Sequence, residues 1–108
     1  MAESVDCLVI GAGVIGLSLA YDLARNGLRV HLVDQGEPGR EASWAGAGIL
    51  PPANFDMAAD PYDQLCGLSH RLHPEWSVML RDESGIDNGF RRCGGIYLAR
   101  SPGECGSL

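Results

Sequence analysis

Six consecutive residues, Gly11, Ala12, Gly13, Val14, Ile15 and Gly16, limit what this chain can fold into more than any other stretch, because of what flanks them. Ahead of them Cys7, Leu8, Val9 and Ile10 form an unbroken apolar run, the pattern of a strand buried on both faces. Behind them Ile15, Leu19 and Leu23 recur at helical spacing, Ala20 and Ala24 favour a helix, and Gly27 stands where a helix C-terminal cap belongs. Residues 28–33 then alternate charged and apolar side chains and close on Asp34. The pattern predicts a strand over 5–10, a helix over 14–26 and a strand over 28–33. Such a crossover is right-handed and makes its two strands parallel.

Each glycine in that turn has a physical task. Gly11 permits the tight turn, Gly13 lets backbone approach a pyrophosphate with no Cβ in the way, and Gly16 lets the helix pack closely on the strand. The helix N-terminus offers unpaired N–H groups and positive dipole to phosphates. Asp34, 23 positions after Gly11, can accept hydrogen bonds from both hydroxyls of an adenosine ribose and repels a 2′-phosphate, which disfavours an NADP-type ligand. The plainer alternative is a tight βα turn capped by a solvated aspartate. It requires strand, glycine spacing, helix, second strand and terminal acid to coincide for no reason. The glycine turn alone does not decide between FAD and NAD, and the next segment favours FAD: an NAD domain normally proceeds to another βα unit, whereas residues 35–54 are rich in Gly, Ala, Ser and Pro, with only 41–45 able to form a short helix. A loop of that length in a compact domain is usually functional.

Beyond the loop, Asp60 and Pro61 form a helix start, with Asp as N-cap and Pro in the first helical position. Tyr62, Leu65, Leu68, Leu72, Trp76, Met79 and Leu80 follow at three- and four-residue spacing until Gly85, and Pro74 predicts a kink or two abutting helices. Asp87, Asn88 and Gly89 signal a turn, and residues 96–99 read as a strand. The tail 101–108 has no apolar period and is expected to be mobile.

Composition excludes other classes. With 14 acidic against 8 basic side chains in 108 residues, a net charge of −6, the chain is a poor nucleic-acid reader. The uncharged stretch 42–55 is broken by glycine and proline, so no membrane span is expected, and the apolar run at 7–10 is too short for a secretory segment and has no basic flank ahead of it, so none is expected. A cytoplasmic location is the expectation. Cys7, Cys66, Cys93 and Cys105 are far apart and read as idle thiols. His70 and His73, three apart on a helix, have no carboxylate- or Cys-rich partner set and read as surface or packing residues, so no metal site is expected. Arg91 and Arg92 read as a solvated strand edge.

Three blocks carry a resemblance: DCLVIGAGVIG at 6–16, VHLVD at 30–34 and EASWAGAGIL at 41–50. Together they resemble the D-amino-acid oxidase family of FAD-dependent oxidoreductases, most of all its glycine oxidase branch associated with thiamine biosynthesis. The resemblance continues through LSHRL at 68–72, ESGID at 83–87 and GGIYLA at 94–99. It implies an α/β fold with a Rossmann-like FAD-binding βαβ unit of glutathione-reductase type. Residues 1–86 would be the N-terminal part of the FAD domain, and 87–108 the first strand of an antiparallel substrate domain plus the tail.

Carried over position by position, the resemblance puts the backbones of Val14 and Ile15 on the pyrophosphate with Gly11, Gly13 and Gly16. Asp34 and Gln35 hold the adenosine ribose, Ala42 and Ser43 lie along the phosphates, and Ala47, Gly48 and Ile49 approach the flavin ring. Ser43 is also open to the local reading of a helix cap or turn. Trp44 departs from the small residue the family leads one to expect. The implied reaction oxidises the Cα–N bond of glycine or a small D-amino acid to an oxo acid and ammonia, with O₂ as electron acceptor and H₂O₂ as product. Catalytic and substrate-binding residues are expected after residue 108, and the full-length protein could form a homo-oligomer.

Family members are much longer than 108 residues, and one helix covers only one face of a two-stranded parallel sheet. The chain therefore reads as the N-terminal portion of an oxidase. The alternative is a non-catalytic dinucleotide-binding fragment or a subunit requiring a partner.

Overall fold

The computed structural model describes residues 4–96 and 98–103. Along the chain run β1 (Cys7–Ile10), α1 (Val14–Arg25), β2 (Val30–Val33), α2 (Ala42–Ala45), a 3₁₀ turn (Phe55–Met57) and α3 (Pro61–Ser84). The chain divides after Ile49 into two compact units.

In the first unit β1 and β2 are parallel, in a register running from Cys7 opposite Val30 to Ile10 opposite Val33. The entrance to the sheet is fixed by Asp6. Its carboxylate accepts the Arg29 backbone N–H at 2.8 Å and the guanidinium through Nη2 at 2.8 Å and Nε at 3.1 Å, while Arg29 Nη1 reaches Ser4 Oγ at 2.9 Å. The Arg29 side chain holds the Asp6 carboxyl below its ordinary pKa. α1 begins directly after Gly13 and ends at Asn26, with Gly27 at φ 86° reversing the chain into β2.

Alternation along the strands decides where the core sits. Among the described residues Val9 and Ala12 are the buried hydrophobics, and Val9 faces α1, which packs against both strands. Leu8 and Ile10 lie on the opposite face and are 56% and 80% exposed. A single crossover helix thus shields one face of a parallel pair and leaves the other open, as the topology demands.

In the second unit Asp60 caps α3 by accepting the Asp63 N–H at 2.9 Å, Pro61 occupies the first helical position, and Gly85 ends the helix in the left-handed conformation at φ 73°. α3 is one 24-residue helix that contains Pro74 rather than two abutting helices. The missing N–H and ring clash of a helical proline cost about 3 kcal/mol. Offsetting contacts come from the segments packed on α3. Gly67 is buried against the 3₁₀ turn, where a Cβ would overlap the Phe55 backbone. The His73 ring tilts against Phe90 with centroids 4.9 Å apart, and Ser77 Oγ donates to Asn88 Oδ1 at 2.7 Å. The expected turn at 87–89 forms, with Gly89 at φ 72° and its N–H on Asp87 Oδ1.

The strand expected over 96–99 is a correction. Ile96, Leu98 and Ala99 are not in a strand, and Ile96 and Leu98 are 90% and 85% exposed. A strand needs a neighbour for its backbone N–H and C=O groups, and the sheet among the described residues consists of β1 and β2. Tyr97, Cys105 and residues 104–108 of the tail lie outside the described residues. Cys7, Cys66 and Cys93 are free thiols. Among the described residues no helix is long and apolar enough to cross a membrane, and no group of three metal-binding side chains gathers.

Candidate dinucleotide-binding site

The site is built on the turn between β1 and α1. Gly11, at φ 103°, adopts a conformation that side-chain-bearing residues rarely take, and its N–H donates to the Val33 carbonyl at 2.8 Å. A Cβ on Gly16 would collide with the Gly11 carbonyl, so glycine there sets how closely α1 approaches the turn. A Cβ on Gly13 would enter the space in front of the helix, 3.2 Å from Ser43 Oγ.

Asp34, at the end of β2, locks this turn. Its Oδ2 accepts the Ala12 N–H at 2.6 Å and its Oδ1 the Gly36 N–H at 2.8 Å. These bonds, Ala12 first, hold the carboxyl below the ordinary aspartate pKa and keep it ionised. Each carboxylate oxygen retains a further lone pair for a ribose hydroxyl. The loop after β2 folds back across the turn: the Gly39 N–H donates to the Ala12 carbonyl at 2.8 Å, and Ser43 Oγ accepts the Val14 N–H at 2.9 Å. Ser43 thus caps the end of α1, since the N-cap residue Gly13 has no side chain. Helix geometry leaves the N–H groups of Ile15 and Gly16 without an intrahelical acceptor.

Turn and loop border an open cleft of about 140 Å³, with Ala12, Gly13, Asp34, Glu37, Arg40 and Ser43 among its lining residues. That space takes a phosphate or part of a sugar, not a whole ligand, for which complete sites run to about 300–1,000 Å³. Of the residues singled out from sequence, Gly13, Asp34, Ala42 and Ser43 line the cavity. Gly11, Gly16, Val14 and Ile15 do not line it: Gly11 and Gly16 set the approach of helix to turn, and Val14 and Ile15 are the first residues of α1. Gln35 is exposed beside Asp34, and Ala47, Gly48 and Ile49 are exposed beyond α2 and do not line this cavity. Sequence reasoning missed Glu37 and Arg40. The signal for Arg40 was its position four residues before an unexpected tryptophan: its guanidinium lies 4.5 Å from the centre of the Trp44 ring.

The donor set fits an adenine dinucleotide. A helix N-terminus behind a Cβ-free glycine is the chemistry that suits anionic oxygen, and a carboxylate kept ionised is the chemistry that suits a ribose. Parallel strands joined through a glycine turn and helix, with that acid closing the second strand, define a dinucleotide-binding α/β protein of Rossmann type. The FAD dependent oxidoreductase family (DAO) matches residues 6–108, and the chain belongs to it. FAD is the cofactor of that family.

Relatives narrow the comparison. The chain is 47% identical over 98 residues to a glycine oxidase of Pseudomonas aeruginosa, an alignment covering 91% of this chain and 26% of that protein. It is 33% identical over 108 residues to a glycine oxidase of Geobacillus kaustophilus, covering 100% of this chain and 29% of that protein. The crystal structure of glycine oxidase from Bacillus cereus superposes with a TM-score of 0.73 at 35% identity, over 82% of this chain and 23% of that one. The chain spans about a quarter of the length of these relatives.

Proposed function

We propose that this chain is the N-terminal part of an FAD-dependent amino-acid oxidase acting on the CH–NH₂ group of glycine or a small D-amino acid. Residues 1–86 contribute the first part of the FAD domain and residues 87–108 the opening of the substrate domain. The observation that carries the reading is the Asp34 carboxylate tied to the Ala12 N–H across the glycine turn, in a chain 47% identical to a glycine oxidase. The backbones of Val14 and Ile15 meet the pyrophosphate, Asp34 and Gln35 the ribose, and Ala42 and Ser43 the phosphate side of the cleft. Ala47, Gly48 and Ile49 carry the chain toward the ring system, where small residues permit close backbone contact. The chemistry FAD would supply when bound is two-electron redox: it would take up a hydride from Cα as the Cα–N bond becomes an imine that hydrolyses to the oxo acid and ammonia, and O₂ would be reduced to H₂O₂ on reoxidation. The part these residues play is to bind and orient that group.

The test uses the full-length polypeptide. Flavin absorbance in the purified protein, with glycine-dependent release of H₂O₂ in a peroxidase-coupled assay, is the expected result, with D-alanine and sarcosine as comparison substrates. A colourless protein that takes up no added FAD and forms no peroxide from any of the three would overturn the proposal.

A further inference from the structure

The cavity presents an electrostatic problem that the glycine turn does not solve. Three carboxylates line it, Asp34, Glu37 and Glu41, and Arg40 is the only basic side chain among the lining residues. A dinucleotide brings a diphosphate with two further negative charges. The end of a helix offers roughly half a positive charge, too little to balance that group beside three acids. Arg40 is built in a way that answers this. Its guanidinium lies over the face of Trp44, 4.5 Å from the ring centre, and its Nε is 3.3 Å from Glu37 Oε2. A guanidinium held over an aromatic face keeps N–H groups free to make hydrogen bonds elsewhere. The Glu37 contact uses Nε at one edge, whereas phosphate is recognised by two parallel N–H groups at once. The arrangement also accounts for Trp44, which is 70% exposed and stands where a small residue was expected: its work is on its face.

We propose that Arg40 is a binding residue for the cofactor's diphosphate, held in place by Trp44, and that Glu37 is its partner until the diphosphate arrives. This assignment rests on the dinucleotide reading above and deepens it. It makes the loop after β2 an active half of the site: the turn supplies backbone donors and the loop supplies the charge.

The experiment measures binding of ADP and adenosine by calorimetry, and of FAD by quenching of its fluorescence, at low and high salt, with the apoprotein of the full-length chain. The two variants Arg40→Gln and Glu37→Gln alter exposed side chains and leave the turn intact. Arg40→Gln is expected to weaken ADP and FAD binding by about tenfold or more, to flatten the salt dependence, and to leave adenosine unaffected. Glu37→Gln shifts ADP affinity the opposite way, since a competing carboxylate is lost. Arg40→Lys and Trp44→Ala fall between wild type and Arg40→Gln, one losing the planar fork and the other its support. Equal affinities and salt slopes for wild type and Arg40→Gln would overturn the assignment, as would an equal loss for adenosine and ADP. If wild type binds neither FAD nor ADP, the dinucleotide reading itself falls and this one with it. If wild type binds both, only the Arg40 comparisons decide.

Discussion

Replacing Gly16 by alanine sets two known effects against each other, and the structure says which wins. Within a helix the change is favourable by about 1 kcal/mol, because alanine loses less backbone freedom on folding. Gly16 lies in the first turn of α1, so the gain applies. Against it, the new Cβ falls on the Gly11 carbonyl, while its next neighbour, Val9 Cγ1 at 3.5 Å, is in ordinary contact. The obstruction is main chain, and that main chain cannot swing aside: the Gly11 N–H is held by the Val33 carbonyl and the next N–H, on Ala12, by Asp34. Relief must come from α1 moving off the turn, away from Val9 and Ala12, the buried hydrophobics of this unit. Overpacking of this kind costs about 1–3 kcal/mol, and a rigid backbone obstacle puts it at the upper end. The net expectation is a loss of about 1–2 kcal/mol, read as a lower urea midpoint at unchanged slope. Dinucleotide affinity falls with it, because the N–H groups of the helix start shift relative to Asp34. A Gly16→Ala protein at least as stable as wild type, with undiminished ADP binding, would refute the claim that this glycine sets the helix-to-turn distance.

Two further outcomes follow from the same turn. Ser43→Ala removes the acceptor of the Val14 N–H and should lower stability by about 1 kcal/mol, as loss of a helix cap does; Ser43→Thr, which keeps the hydroxyl, should restore most of it in the same urea titration. Asp34 has a folded pKa below its ordinary value of 3.8, so its contribution to stability is present above that value and disappears as pH falls through the lowered one. Thermal midpoints measured from pH 6 to pH 2 should therefore fall less steeply for Asp34→Asn than for wild type, and identical acid limbs would remove Asp34 from the lock on the turn.

Local pattern made most of the first unit legible. The apolar run, the glycine spacing and Asp34 mark β1, α1 and β2 to within two residues, because each rests on a rule that acts over a few positions: strand burial, φ freedom at Gly11, helix capping at Gly27. Asp60 and Gly85 mark α3 for the same reason. Residues whose role depends on distant partners were less legible. Nothing in the local pattern marks Asp6 as the partner of Arg29, 23 positions away. Gly67 gave no sign of its contact with the Phe55 backbone, since nothing in a helical period tells which face another segment will cross. Residues 96–99 have the composition of a strand, but pairing is a property of two segments, and composition specifies only one.

The same distinction explains the division of labour in the site. The backbone donors of the glycine turn are announced by the sequence, because glycine is needed wherever backbone itself does the binding. The charge that must accompany them is not announced, because a guanidinium can be delivered from any position the loop brings near. Here that position is Arg40, and the sign of its setting is an exposed tryptophan. In an acidic chain, an aromatic face reserved for one arginine beside three cavity-lining carboxylates keeps the cation poised at the cleft. The diphosphate then has only Glu37 to displace, and the net gain is the difference between two ion pairs rather than the whole of one. That difference grows because the bidentate pair replaces a contact through Nε alone, and it shrinks with added salt, which is why the salt series on Arg40→Gln and Glu37→Gln separates a binding charge from a merely structural one.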